Sequence, residues 1–159
     1  MKKIVTFIAL MFGIIGFAGC KGQSRPADLP PLVPCVVSVI QDAKPLEGAI
    51  VNFVGADGSN SKYQATGVTN SEGKATLSTY GYEGVPEGKY KVCIWKNLTE
   101  GVEQIENADG EMVSTDGVEY RTVDMQYFSA DSTPFEITVT GKEMEEKSFD
   151  VGESIKELK

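Results

Sequence analysis

From Cys35 onward the chain is written in short runs in which apolar and polar residues alternate. Cys35, Val37 and Val39 share one face of such a run. Ala49, Val51 and Phe53 share one face of the next, with Ile50, Asn52 and Val54 opposite. Ala75 and Leu77 repeat the pattern, and Tyr90, Val92 and Ile94 alternate against Lys89, Lys91, Cys93 and Trp95. Later come Val123, Met125 and Tyr127, then Phe135, Ile137 and Val139, then Phe149 and Val151. Successive side chains of a strand point to opposite faces, so a period of two marks strands with one buried side. Short strands cut by Gly, Pro, Asn and Asp predict an all-β, antiparallel β-sandwich. Its predicted core is Val51, Phe53, Leu77, Tyr90, Val92, Ile94, Phe135, Ile137 and Phe149.

The punctuation supports strands. Asn70-Ser71-Glu72-Gly73 sits between the runs 63–69 and 74–79 and predicts a hairpin, because Gly73 tolerates the positive φ that closes one. Gly84-Val85-Pro86-Glu87-Gly88 marks a turn before the strongest strand, and Asp57-Gly58-Ser59-Asn60 marks another. Residues 97–119 break the rhythm: the segment is long, acidic and poor in apolar residues, and a connection of that length is uncommon in a compact domain. A small extra hairpin is expected there, around Asp109-Gly110 or Asp116-Gly117. Residues 153–159 are expected to form a frayed helical turn or no fixed structure.

The first residues carry a different signal. Lys2 and Lys3 precede an apolar run from Ile4 to Phe17, and Phe17-Ala18-Gly19-Cys20 follows. A run this short with a small-residue exit predicts a cleavable secretory signal over residues 1–19, not a membrane span. The pattern resembles the lipobox of bacterial lipoproteins. That resemblance implies that Cys20 becomes a lipidated N-terminus, each buried methylene adding about 0.8 kcal/mol of membrane affinity. It also implies an outer-membrane address, since Lys21 stands where inner-membrane retention usually has Asp. Residues 20–34, with Pro26, Pro30, Pro31 and Pro34, predict an extended tether. The sandwich is expected over 35–152, and 153–159 is the tail.

Removal of 1–19 leaves 140 residues, enough for one domain. The formal charge of −8 becomes −10 once Lys2 and Lys3 are gone. Such a surface repels phosphate backbones and anionic lipid, which argues against nucleic acid and leaves membrane attachment to the acyl chains. The chain has no histidine, so it lacks the commonest general base, metal ligand and nucleophile partner. No catalytic residue, metal or cofactor is expected. Beyond Cys20 there are Cys35 and Cys93. An exported compartment favours a disulfide between them, whereas strand parity places them on opposite faces; both states stay open.

Lys44-Pro45-Leu46-Glu47-Gly48-Ala49-Ile50-Val51-Asn52-Phe53, Ala65-Thr66-Gly67-Val68-Thr69-Asn70-Ser71-Glu72-Gly73-Lys74-Ala75-Thr76-Leu77 and Gly84-Val85-Pro86-Glu87-Gly88-Lys89-Tyr90-Lys91-Val92 occur in that order. They resemble three phrases of carboxypeptidase-regulatory-like domains. The resemblance covers residues 36–96 well and 127–151 loosely. It implies a prealbumin-like, starch-binding-like or Ig-like sandwich of about seven strands and no particular activity. The enzymes that share this topology rely on histidines, which are absent here.

The expected function is therefore a non-catalytic, membrane-anchored envelope module, monomeric, that binds a protein or glycan or serves structurally. The alternative is a cell-surface carbohydrate-binding module with Trp95, Tyr80 and Tyr82 stacking on sugar rings. The acidic turns at 57–60 and 107–111 contain hard oxygen ligands, but neither has the spacing of a calcium loop.

Overall fold

The computed structural model describes residues 25–56, 62–141 and 146–159. Cys20, the signal segment and the Asp57-Gly58-Ser59-Asn60 turn lie outside the described residues. The described chain is all-β apart from a short 3-10 turn. In chain order the strands are β1 (Leu32–Val33), β2 (Val36–Gln41), β3 (Lys44–Pro45), β4 (Ile50–Gly55), β5 (Ala65–Val68) and β6 (Lys74–Thr76). Next come β7 (Ser78–Thr79), β8 (Tyr82–Glu83), β9 (Val85–Pro86), β10 (Gly88–Trp95), β11 (Asn97–Glu100) and β12 (Gln104–Glu106). The last are β13 (Met112–Ser114), β14 (Val118–Arg121), β15 (Glu136–Val139), β16 (Lys147–Asp150) and β17 (Glu157–Leu158).

Two sheets enclose the core. The larger runs β15-β10-β4-β5-β7-β8, and the smaller runs β16-β2-β3 with β6 also on β2. Val37 and Val39 of β2, Ala75 of β6 and Phe149 of β16 meet Val51, Phe53, Tyr90, Val92, Ile94, Ile137 and Val139, all buried. The rings of Phe53 and Tyr90 lie 5.8 Å apart, and the buried Tyr90 hydroxyl donates to the Pro86 carbonyl at 2.9 Å, which removes the cost of an unpaired phenol. The alternation in the sequence thus identifies the core. Phe135 is half-buried at its margin, stacked on Tyr127 with centroids 5.0 Å apart.

Several expectations change. The runs 63–69 and 74–79 do not form a hairpin within one sheet: β5 pairs β4 and β7, whereas β6 crosses to β2. Asn70–Gly73 is a corner between layers. Buried Thr69 fixes it by donating to the Leu46 carbonyl and accepting from the Ala49 N–H. Strand β16 pairs β2 in parallel, an exception to the antiparallel rule of the other pairs. Val123–Tyr127 is not a strand. Asp124 caps a 3-10 turn over Met125–Tyr127 by accepting from the Gln126 N–H at 2.8 Å, so Val123 is buried while Met125 is exposed. The tail does not fray, because β17 pairs β14.

The tether also docks earlier than its composition suggests. Leu29 and Val33 are buried, and β1 pairs β9. Lys62 Nζ meets the Asp28 carboxylate at 3.1 Å, and the Tyr63 hydroxyl donates to the Asp28 carbonyl at 2.5 Å. The apolar residues between the prolines, not the prolines, decide where the sandwich begins. Gly84 makes the approach possible: a Cβ there would lie 2.9 Å from the Leu32 Cβ and the Val33 carbonyl oxygen.

Candidate functional site

Residues 97–121 leave the sandwich as an arm. Its root is fixed. The Thr122 N–H donates to the Lys96 carbonyl at 3.1 Å, and buried Gln41 of β2 donates its amide to the Thr122 carbonyl at 2.8 Å. Beyond the root, β11 pairs β14 from Asn97↔Arg121 to Glu100↔Val118. After a break, β12 pairs β13 from Gln104↔Ser114 to Glu106↔Met112. The Thr115 N–H to Glu103 carbonyl bond, 2.8 Å, joins the two parts. Asn107 closes the tip, its side-chain oxygen accepting from the Asp109 and Glu111 N–H groups at 3.0 and 2.9 Å. The expected hairpin at Asp109-Gly110 is therefore present, and the oxygen-rich Asn107–Glu111 stretch is turn chemistry.

The register puts Leu98, Tyr120 and Leu158 in one row across β11, β14 and β17, with Val118 on the same face two residues from Tyr120. Lys156 Nζ lies 4.5 Å from the Tyr120 ring centroid and pairs with Glu100 at 2.6 Å. That hydrogen bond holds the ammonium above its ordinary pKa. At the tip Ile105 faces Val113. Leu98, Val102, Ile105, Met112, Val113 and Val118 make up six of the ten large apolar side chains exposed among the described residues, and Leu158 is a seventh at 67% exposure. Monomer surfaces scatter such residues singly; their grouping on one appendage makes the arm the candidate site. Sequence patterning pointed to a hairpin here but not to this exposure, since the runs are only three or four residues long and interleaved with acids. The one available signal was the pair Ile105 and Val113 flanking an Asn-x-x-Gly turn.

The residues singled out in the sequence fall elsewhere. Cys35 and Cys93 are both buried free thiols. Cys35 sits in the core between the sheets, while Cys93 lies on the opposite face of β10 from Val92 and Ile94. The disulfide alternative is not realised because the two side chains point to different sides of the larger sheet. Burial pushes the Cys35 thiol up to about 11 and the Cys93 thiol upward as well, which leaves neither nucleophilic near neutrality.

Trp95 is half-buried on the outer face of the larger sheet, in a row with Ile50 and Val68, the last 60% exposed. Tyr80, 53% exposed, occupies the β7–β8 turn at φ +52°. Its hydroxyl donates to the Lys62 carbonyl at 2.7 Å, and its ring meets Tyr63 edge-on at 6.2 Å. Tyr82 is half-buried on the edge strand opposite Thr79. Counting strands and residues along the ladder separates Trp95 from Tyr80 by roughly 20 Å. The structure brings Tyr80 and Tyr82 near one another but not to Trp95.

A cavity of about 320 Å³ lies beside the docked N-terminal segment, lined by Pro30, Pro31, Pro86 and Glu87. Its lining offers one ionisable side chain. Among the described residues, no group of three or more His, Cys, Asp or Glu side chains is placed to hold a metal ion.

No family model matches the chain, and no curated protein matches it. Among solved structures, a 9R-lipoxygenase from Cyanothece PCC8801 is similar at 17% identity and a TM-score of 0.30, over 82% of this chain and 18% of that one. The chain spans less than a fifth of that protein's length, and a likeness at this score bears on neither ancestry nor activity.

Proposed function

We propose that this protein is a non-catalytic, lipid-anchored envelope module that binds a partner through the 97–121 arm. The observation that carries the reading is the concentration of exposed apolar side chains on a rigidly rooted appendage. The basic start, apolar run and Phe17-Ala18-Gly19-Cys20 exit support acylation of Cys20. The three family-like phrases support a carboxypeptidase-regulatory-like sandwich as the scaffold. The lack of any histidine supports binding over catalysis. Sugar stacking is the weaker alternative, because its three aromatics do not share one platform.

Two measurements test the reading. Cys20→Ser is expected to move the protein from the membrane to the soluble fraction, and unchanged detergent partitioning would remove the anchor. A photo-crosslinking side chain at Ile105 is expected to trap an envelope component that the same group at Val68 does not. Equal trapping at both positions would remove the arm as the contact element.

A further inference from the structure

The charge pattern of the arm defines its occupant more closely. Residues 97–119 hold seven carboxylates, Glu100, Glu103, Glu106, Asp109, Glu111, Asp116 and Glu119, and no Lys or Arg. Lys156 and Lys159, from the segment around β17, pair with Glu100 and Glu119 at 2.6 Å each. They neutralise the inner half of the arm. The other five carboxylates have no cation partner among the described residues, and they surround Val102, Ile105, Met112 and Val113, all exposed. The outer half is thus apolar and uniformly anionic.

Three kinds of occupant can be compared. A second copy would set this anionic tip against another, and like charges across a desolvated contact cost several kcal/mol. An anionic bilayer repels it for the same reason. A cationic partner gains on both counts, apolar burial and charge pairing. The backbone adds a further constraint. Strand β14 is covered by β17 and β13 pairs only β12, whereas β11 and β12 have one neighbour each, so the edge of 97–106 is the one open along both halves of the arm among the described residues. Native proteins guard such edges with charge, most often lysine; this edge carries only Glu100, Glu103 and Glu106, which repel an anionic strand and admit a cationic one. An open edge accepts an extended segment whose backbone continues the ladder and whose alternate side chains read one face.

Resting on the reading of the arm as a contact element, we infer that its outer half docks an extended, cationic polypeptide segment in which Lys or Arg alternates with β-branched apolar residues. Backbone pairing along the open edge gives register, the apolar side chains cover Ile105 and Val113 on one face, and the cations project to the other face, where Glu106 lies.

The test uses three synthetic peptides of equal length, alternating Lys-Val, Lys-Ser and Glu-Val, titrated against the whole protein and followed by amide hydrogen exchange and NMR shifts. The Lys-Val peptide is expected to bind about tenfold or more tighter than Lys-Ser, to weaken as salt shortens the Debye length, and to protect amides within 97–106. Ile105→Ser with Val113→Ser is expected to abolish that preference without changing the protein's melting temperature. Equal affinity for Lys-Val and Lys-Ser would overturn the inference, since it reduces the contact to bare charge attraction. Protection away from the arm, or no Lys-Val binding, would overturn it too. Preference for Glu-Val at the arm would overturn the partner class yet leave the arm as a contact element. Failure of arm-specific crosslinking would remove that broader reading separately.

Discussion

The sandwich and the arm are made with the same local rules and end in opposite environments. Asn70-Ser71-Glu72-Gly73 and Asn107-Ala108-Asp109-Gly110 are near copies: in each the asparagine oxygen takes two backbone N–H groups and the glycine sits at positive φ, +72° and +82°. Both regions alternate apolar with polar residues. Yet Phe53 is buried and Ile105 is not. Pairing and turning are local and follow from a few residues. Burial needs a second layer, and the arm has none beyond its own short three-stranded root. Alternation reports strand geometry, and it reports a core only where another sheet stands opposite.

The sharpest way to break the comparison is truncation at equivalent positions. Phe53→Ala is expected to cost about 3–5 kcal/mol in denaturant unfolding, because the inter-sheet space cannot collapse onto the missing ring. Ile105→Ala is expected to stay within about 0.5 kcal/mol, as surface changes do. Similar losses at the two sites would mean that the arm is packed after all.

The paired glycines offer a finer contrast. Gly110→Ala places a Cβ in the left-handed region and is expected to cost about 1–2 kcal/mol. Gly73→Ala carries the same strain and also drives its Cβ to 2.7 Å from the Val39 carbonyl oxygen, whereas at Gly110 the nearest atom is 3.6 Å away. The corner glycine should therefore cost about 1–3 kcal/mol more than the tip glycine. Thermal melts of the two variants decide it, and equal shifts would refute the difference in crowding.

A smaller effect of opposite sign is expected at the β2–β3 turn. Asp42 and Ala43 both take positive φ, 52° and 59°, the backbone of a type I′ hairpin turn with alanine where glycine is preferred. Ala43→Gly should raise stability by about 0.5–1 kcal/mol, the relief of strain exceeding the added chain entropy. A lowered melting temperature would show the turn to be unstrained. Smallest of all, Ile105→Ser with Val113→Ser should leave unfolding within about 0.5 kcal/mol of the parent and act on binding alone.

Much of the sandwich was readable from residue order. The alternation in 35–54 and 89–95 identified the inward face, and Gly73 and Gly88 marked the turns. What escaped reading has a common cause: it depends on partners distant in sequence. Strand β6 leaves the sheet of β5 and joins β2, where Ala75 pairs with Val37 in the smaller sheet. Strand β17 exists because Tyr120 and Arg121 offer an edge, and the Arg121–Glu157 pair at 2.9 Å secures it. Cys93 was placed correctly on the outer face, yet it is buried, a small side chain in a central strand between Lys91 and Trp95. The exposure of the arm's apolar side chains was the least legible part. No three-residue strand announces which of its sides stays bare.

The docking of Asp28, Leu29 and Val33 sets a length scale. With Cys20 acylated as proposed, the eight residues from Cys20 to Asp28 can stretch no further than about 29 Å. A tether reaching Cys35 would have allowed nearly twice that. The sandwich is then confined to a shell no deeper than that reach and cannot cross a wider gap. Effective concentration rises as the volume available to a tethered module shrinks. A short leash therefore suits partners that are themselves held at the same surface, and handicaps any that diffuse through the space beyond it.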